Sequence, residues 1–163
     1  MAHLCLEFHL LETGKQFDGD IQYLVQSGNE LLLVNRFLDL QYDLNIVGDY
    51  SNIVYRTVGF QVFKMDRSCP EWRQIMNLDN QVLFLGENSS LSLSASDFPG
   101  CLGNCIYYTD DYSEFNYAGA FGKHDLGIFR LCDASIEPLP CYPLNSYAQL
   151  GWPPPLWITP NPC

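Results

Sequence analysis

Cationic side chains are scarce in this 163-residue chain: 8 Lys+Arg stand against 19 Asp+Glu, for a formal net charge of −11. Phosphate-backbone binding needs clustered cations that release counterions, and anionic lipid attracts basic segments. The charge balance excludes both classes of ligand. Long apolar runs are missing as well, and no stretch approaches the roughly 20 residues that a membrane-spanning helix needs. Helical periodicity is nearly absent. The first residues have no basic leader, and Glu7 interrupts their apolar run, so no export signal is read there. Without one, the odd set of seven cysteines (Cys5, Cys69, Cys101, Cys105, Cys132, Cys141 and Cys163) is expected to be reduced, in an intracellular setting. Cytoplasm or nucleus is the expected compartment, with an organelle left open. The sequon Asn88-Ser89-Ser90 is then expected to be unused.

What the chain does have is apolar material, 47% of its residues with 14% aromatic, enough for a packed core and against whole-chain disorder. Short apolar segments alternate with turn residues. Strands are predicted at Tyr23 to Val25, Leu31 to Phe37, Gly59 to Met65, Trp72 to Met76, Val82 to Leu85, Ile106 to Thr109, Gly127 to Leu131 and Ser135 to Glu137. Leu4, Leu6, Phe8 and Leu10 share one parity and suggest a further strand. The class is all-β. Leu31-Leu32-Leu33-Val34 and Val82-Leu83-Phe84-Leu85 do not alternate. Successive strand side chains point to opposite faces, so four large apolar residues in a row require both faces to be covered. Stacked sheets meet that condition.

A weak repeat supports stacking. Val62-Phe63-Lys64-Met65 resembles Ile128-Phe129-Arg130-Leu131, and Gly28-Asn29 precedes one strand as Gly103-Asn104 precedes another. The same order of four elements occurs twice, at offsets of about 60 to 75 residues, beyond the roughly 40 to 50 usual for a propeller blade. Inserted loops are therefore expected, at Gln41 to Asn52 and Tyr112 to His124. Four antiparallel strands per unit is the grammar of a blade.

The segment Val82 to Gly100, continuing through Gly103-Asn104-Cys105-Ile106-Tyr107-Tyr108-Thr109-Asp110-Asp111, resembles the plant F-box-associated KIB-type β-propeller family. Gly127-Ile128-Phe129, Ser135 to Pro140 and Trp157-Ile158-Thr159-Pro160 fit its C-terminal pattern, and Glu30 to Arg36 followed by Phe60 to Asp66 also fits. The resemblance implies a partial, open β-propeller of about two four-stranded antiparallel blades. Residues 1–19 would be an N-terminal strand and connector, 20–78 a first blade-like unit, 79–141 a second, and 142–163 a Pro/Trp-rich tail. No Leu-Pro-rich F-box helices precede these units, so a fragment or an assembling piece is expected. Exposed blade faces would promote self-association.

The chemistry-bearing residue types are weak as sites. Cys101 and Cys105 have zinc-like spacing, but His124 and Cys132 do not complete a second pair. Gly119 to His124 lacks the first glycine and the final Ser or Thr of a phosphate loop. Ser89 to Ser96 contains no nucleophile elbow and reads as a half-exposed strand. Asp110, Asp111 and Glu114, and Asp39, Asp43 and Asp49, read as solvated acidic loops. Gly151 to Trp157 should be extended, with Trp152 and Trp157 packing it onto the last blade. No catalytic, cofactor-binding or metal-binding residue is assigned, and no cofactor is expected. The resemblance implies a non-enzymatic protein-interaction module, similar to the substrate-recognition propeller of F-box proteins that serve as ubiquitin-ligase adaptors. Its partner would be a protein. An alternative is a fragment without independent function, or a ligand-binding or hydrolytic propeller using acidic loop residues.

Overall fold

The computed structural model describes residues 19–42, 53–66, 68, 71–98, 100–111, 125–140 and 156–158. The suggested strand at Leu4 to Leu10, Trp152 and the body of both expected loops lie outside them.

The described chain is nearly all strand: β1 (Ile21–Ser27), β2 (Glu30–Tyr42), β3 (Ile53–Asp66), β4 (Glu71–Ile75), β5 (Gln81–Gly86), β6 (Ser89–Ser94), β7 (Cys105–Tyr108), β8 (Gly127–Arg130) and β9 (Ile136–Glu137). All eight predicted strands are present. The Ser-rich run forms β6, the half-exposed strand expected, though half-buried along its whole length rather than alternating. β2 continues to Tyr42 and takes in the first two residues of the expected loop. Among the described residues, no helix is long and apolar enough to cross a membrane.

β1 to β4 form an antiparallel meander in the order β1-β2-β3-β4. Its first hairpin turns on Gly28-Asn29, where Gly28 takes a left-handed φ of 56° that costs glycine little. The second sheet has the order β6-β5-β7-β8-β9. This corrects the expectation of a four-stranded antiparallel second blade. There are five strands, and β5 pairs with β7 in parallel, Val82 opposite Cys105 through Leu85 opposite Tyr108. Residues 87–104 explain it: they first run back along the outer edge of β5 as β6 and then cross to its other side. A parallel connection requires a crossover of that kind.

The two sheets stack face to face. Tyr23, Val25, Leu32, Val34, Phe60 and Val62 of the first meet Leu83, Leu85, Ile106, Tyr108 and Phe129 of the second in one core. Phe60 centres this contact, 5.3 Å from the Tyr108 ring and 5.2 Å from the Phe129 ring. Val82, Cys105, Tyr107 and Ile128 occupy the opposite face of the second sheet, covered by Leu126, Leu139 and Trp157. Val82 to Leu85 is therefore a strand covered on both faces, as its unbroken apolar run demands, with Val82, Leu83 and Leu85 buried and Phe84 half-buried. Leu31 to Val34 meets the condition on one side: Leu32 and Val34 are buried, while Leu31 and Leu33 are half-buried.

The repeat has a structural phase. Val62 points from the first sheet into the shared core, whereas its counterpart Ile128 points from the second sheet away from it. Matching positions thus face the same way in both sheets, and the units stack in one sense, as successive blades do.

Candidate functional site

Along β2 the even-numbered residues Leu32, Val34 and Arg36 face the second sheet, so a guanidinium sits where the strand period calls for an apolar side chain. Arg36 has 0% exposure. Removing a lone cation from water costs several kcal/mol after relaxation, so it persists only with excellent partners. A register shift between Phe37 and Leu38 brings Thr57 to its side. Arg36 Nε donates to Thr57 Oγ1 at 2.7 Å. Nη1 donates to Tyr23 OH at 3.0 Å, the Thr109 carbonyl at 3.0 Å and Asp111 Oδ1 at 2.6 Å. Nη2 donates to the Asp125 carbonyl at 3.2 Å and Asp125 Oδ2 at 3.0 Å. The Tyr108 ring lies under the guanidinium, 4.7 Å from its carbon, a cation–π contact in a desolvated place.

The partners are held in turn. Tyr23 OH donates to Asp111 Oδ2 at 2.6 Å. Asp125 Oδ2 accepts from the Thr57 amide at 2.7 Å and the Thr57 hydroxyl at 2.6 Å. Tyr55 OH donates to Asp110 Oδ1. Burial pushes the Asp111 carboxyl above its ordinary pKa, opposed by the Arg36 charge. Burial also raises the phenols of Tyr23, Tyr55 and Tyr108, helped by Asp111 at Tyr23, Asp110 at Tyr55 and Asp125 at Tyr108. At Arg36, burial pulls the pKa down, but Tyr23, Asp111 and Asp125 overcome it, and the group is held cationic.

Arg36 has five N–H donors, and its three nitrogens engage six acceptor atoms, so no proton is left for an anionic ligand. The cluster joins two layers. Tyr23, Arg36, Tyr55 and Thr57 belong to the first sheet; Thr109, Asp110, Asp111 and Asp125 belong to the end of β7 and the approach to β8. It grips both ends of segment 112–124. Tyr55–Asp110 ties one of those ends to β3, close to where β2 and β3 lead into residues 43–52. Both segments therefore leave from the same end of the stack.

Asp110 and Asp111 correct the sequence reading, which placed them in a solvated loop: Asp110 is 3% exposed, and the Asp111 side chain 5%. Asp39 stays on the surface, where its Oδ2 accepts from Gln41 Nε2. Asp43, Asp49, Glu114, His124 and the Gly119–Lys123 stretch lie outside the described residues. Cys101, Cys105 and Cys132 are free thiols, half-buried, buried and exposed in turn. Among the described residues no group of three or more His, Cys, Asp or Glu side chains could hold a metal ion. Ser92 Oγ bonds Ser27 Oγ at 2.9 Å and Gln81 Oε1 at 3.1 Å, which is interstrand packing. Near the Gly28-Asn29 turn, an open cleft of about 670 Å³ is lined by Glu30, Lys64, Asp66 and Arg73. Its charges are paired, Lys64 with Glu30 and Arg73 with Asp66.

Arg36, Thr57 and Asp125 were not singled out from the sequence. The available signal was parity: a charge in register with Leu32 and Val34 must be buried, and a buried cation needs acids.

The KIB1-4 beta-propeller family model matches residues 5–130. The F-box protein SKIP23 of Arabidopsis thaliana is 34% identical over 152 residues, covering 88% of this chain and 37% of the relative. The F-box protein At2g17036 of the same plant is 32% identical, covering 86% of this chain and 35% of its own length. A third, F-box protein At4g35733, is 29% identical over 73% of this chain and 32% of its own length. The chain thus spans about a third of the length of these relatives. No solved structure matches.

Proposed function

We propose, from the premise that this chain belongs to the KIB1-4 β-propeller family, that it works as a non-enzymatic protein-interaction module. In this reading it contributes two blade-like units, residues 20–78 and 79–141, to the recognition of a protein destined for a ubiquitin ligase. Propellers recognise partners through the segments between strands, and their chemistry rather than the fold sets the function. One observation carries the reading: the buried Arg36 cluster fixes the roots of segments 43–52 and 112–124 at one end of the stack. Segment 43–52 carries Asp43 and Asp49 with no cation, while 112–124 sets Glu114 against Lys123, so the partner surface that meets 43–52 should be basic.

The test is affinity capture of the full chain from plant cells, beside a variant with Asp43→Asn, Asp49→Asn and Glu114→Gln. The proposal expects ligase components and a discrete protein set with the parent chain. The variant should lose that set, with an unchanged melting temperature. Identical recovery by both, or no ligase component with either, overturns it.

A further inference from the structure

The face of the second sheet that points away from the first is covered by Leu126, Leu139 and, from the described part of the tail, Trp157. Trp157 is half-buried between two exposed neighbours, Leu156 at 51% and Ile158 at 88%. Among the described residues 156–158 only the tryptophan is inserted, and it is read at three points. Its indole Nε1 donates to the Leu85 carbonyl at 2.8 Å. Its ring meets Phe84 edge-on, with centroids 5.0 Å apart, and Phe84 in turn stacks on Tyr107 at 5.0 Å. Its backbone is held by the Asn88 side chain at the tip of the β5–β6 hairpin. Trp157 N donates to Asn88 Oδ1 at 3.1 Å, and Asn88 Nδ2 donates to the Trp157 carbonyl at 2.8 Å.

Each contact has a recognition meaning. The paired Asn88 bonds reproduce what a neighbouring strand residue offers, so they accept any extended backbone. The Leu85 carbonyl selects a ring N–H, which Phe lacks, and the Phe84 edge contact selects an aromatic body. Gly86 makes room: a Cβ there would lie 3.0 Å from Trp157 Cδ1 and 2.4 Å from Thr109 Oγ1.

We propose that Phe84, Leu85, Gly86 and Asn88 form a socket for an extended protein segment bearing a tryptophan, which the chain's own tail fills intramolecularly. A partner presenting the same chemistry exchanges with the tail. Tethering gives the tail an effective concentration on the order of millimolar, so the exchange favours partners that bind elsewhere as well. This site is separate from segments 43–52 and 112–124, and its test is independent of ligase capture.

The experiment uses the full chain with Trp157→Ala or Trp157→Phe and a fluorescein-labelled peptide of residues 153–160, followed by anisotropy. The expected result is saturable binding to both variants, at least about tenfold weaker binding to the parent chain because its tail competes, and none by a peptide with Trp157→Ala. Adding Asn88→Ala to the Trp157→Phe chain should weaken binding about tenfold, the loss of one good backbone pair. Trp157→Phe keeps the aromatic plug should Trp157→Ala fail to fold. A cooperatively melting Trp157→Phe chain that binds no peptide overturns the proposal, as does binding that ignores the peptide's tryptophan.

Discussion

Arg36→Met removes the charge while keeping much of the side chain's length, and it tests the account of the junction between the sheets. The variant leaves Asp111 and Asp125, both nearly inaccessible, facing each other without a cation. Breaking a buried pair by removing one partner costs about 3–5 kcal/mol. Against a total stability of about 5–15 kcal/mol that is a large fraction. At about 2–4 °C per kcal/mol for a chain of this size, the melting temperature should fall by roughly 6 to 20 °C. Urea unfolding followed by circular dichroism measures the loss as a lower midpoint. The pH dependence supplies a second readout. Burial already lifts the Asp111 pKa, and the Arg36 charge opposes it. Without that charge the folded-state pKa rises further above the unfolded value. The variant's stability then falls as pH climbs through that window, so the deficit should be smaller near about pH 5 than near about pH 8. Arg36→Met combined with Asp111→Asn and Asp125→Asn should regain more than half of the loss, since neutral partners no longer need a cation. A deficit below about 1 kcal/mol, the range of exposed ion pairs, together with no pH dependence, would refute the reasoning.

Other outcomes follow from the same geometry. Tyr23, Tyr55 and Tyr108 have phenols raised mainly by burial, so unfolded tyrosine gives up its proton near about pH 10 while these keep theirs. Their contribution to stability is complete below that pH and is lost as pH rises. In an alkaline series, phenolate absorbance should therefore show a late fraction that ionises together with loss of the strand signal; smooth titration of every tyrosine in a folded chain would contradict this. Leu83→Ala empties a fully buried position and should cost about 2–5 kcal/mol. Leu24→Ala, at a residue 46% exposed, should stay within about 0.5 kcal/mol; equal effects in chemical denaturation would reverse the assignment of the faces. Cys132 is exposed and Cys105 buried, with a thiol pKa raised by that burial. Peptide mapping after brief iodoacetamide treatment should find Cys132 modified and Cys105 protected until denaturant is added.

Much of the fold was legible because strand alternation reports burial directly. The run from Val82 to Leu85 announced two covered faces, and Leu91 and Leu93 set among serines announced a half-exposed strand. Direction was not legible. A period of two is the same read either way along a strand, so nothing in Val82 to Leu85 distinguishes a parallel neighbour from an antiparallel one. The junction was hidden for a different reason. Asp110 and Asp111 look like loop acids until Arg36 is placed on the core side of β2, and Asp125 sits in a turn-like Asp-Leu-Gly cluster. Their meaning depends on a contact between sheets, which local pattern does not encode.

The span of that contact bears on how the protein is made. Arg36 meets Asp125 across 89 positions of sequence. At a synthesis rate of about 5 to 20 residues per second, the first meander carries Arg36 for roughly 4 to 15 seconds before Asp111 is made and roughly 5 to 20 seconds before Asp125 is. Through that interval its greasy face and its stranded cation share the same exposed surface. The charge that later latches the layers together can serve, while the nascent chain waits, as a gatekeeper against premature sticking.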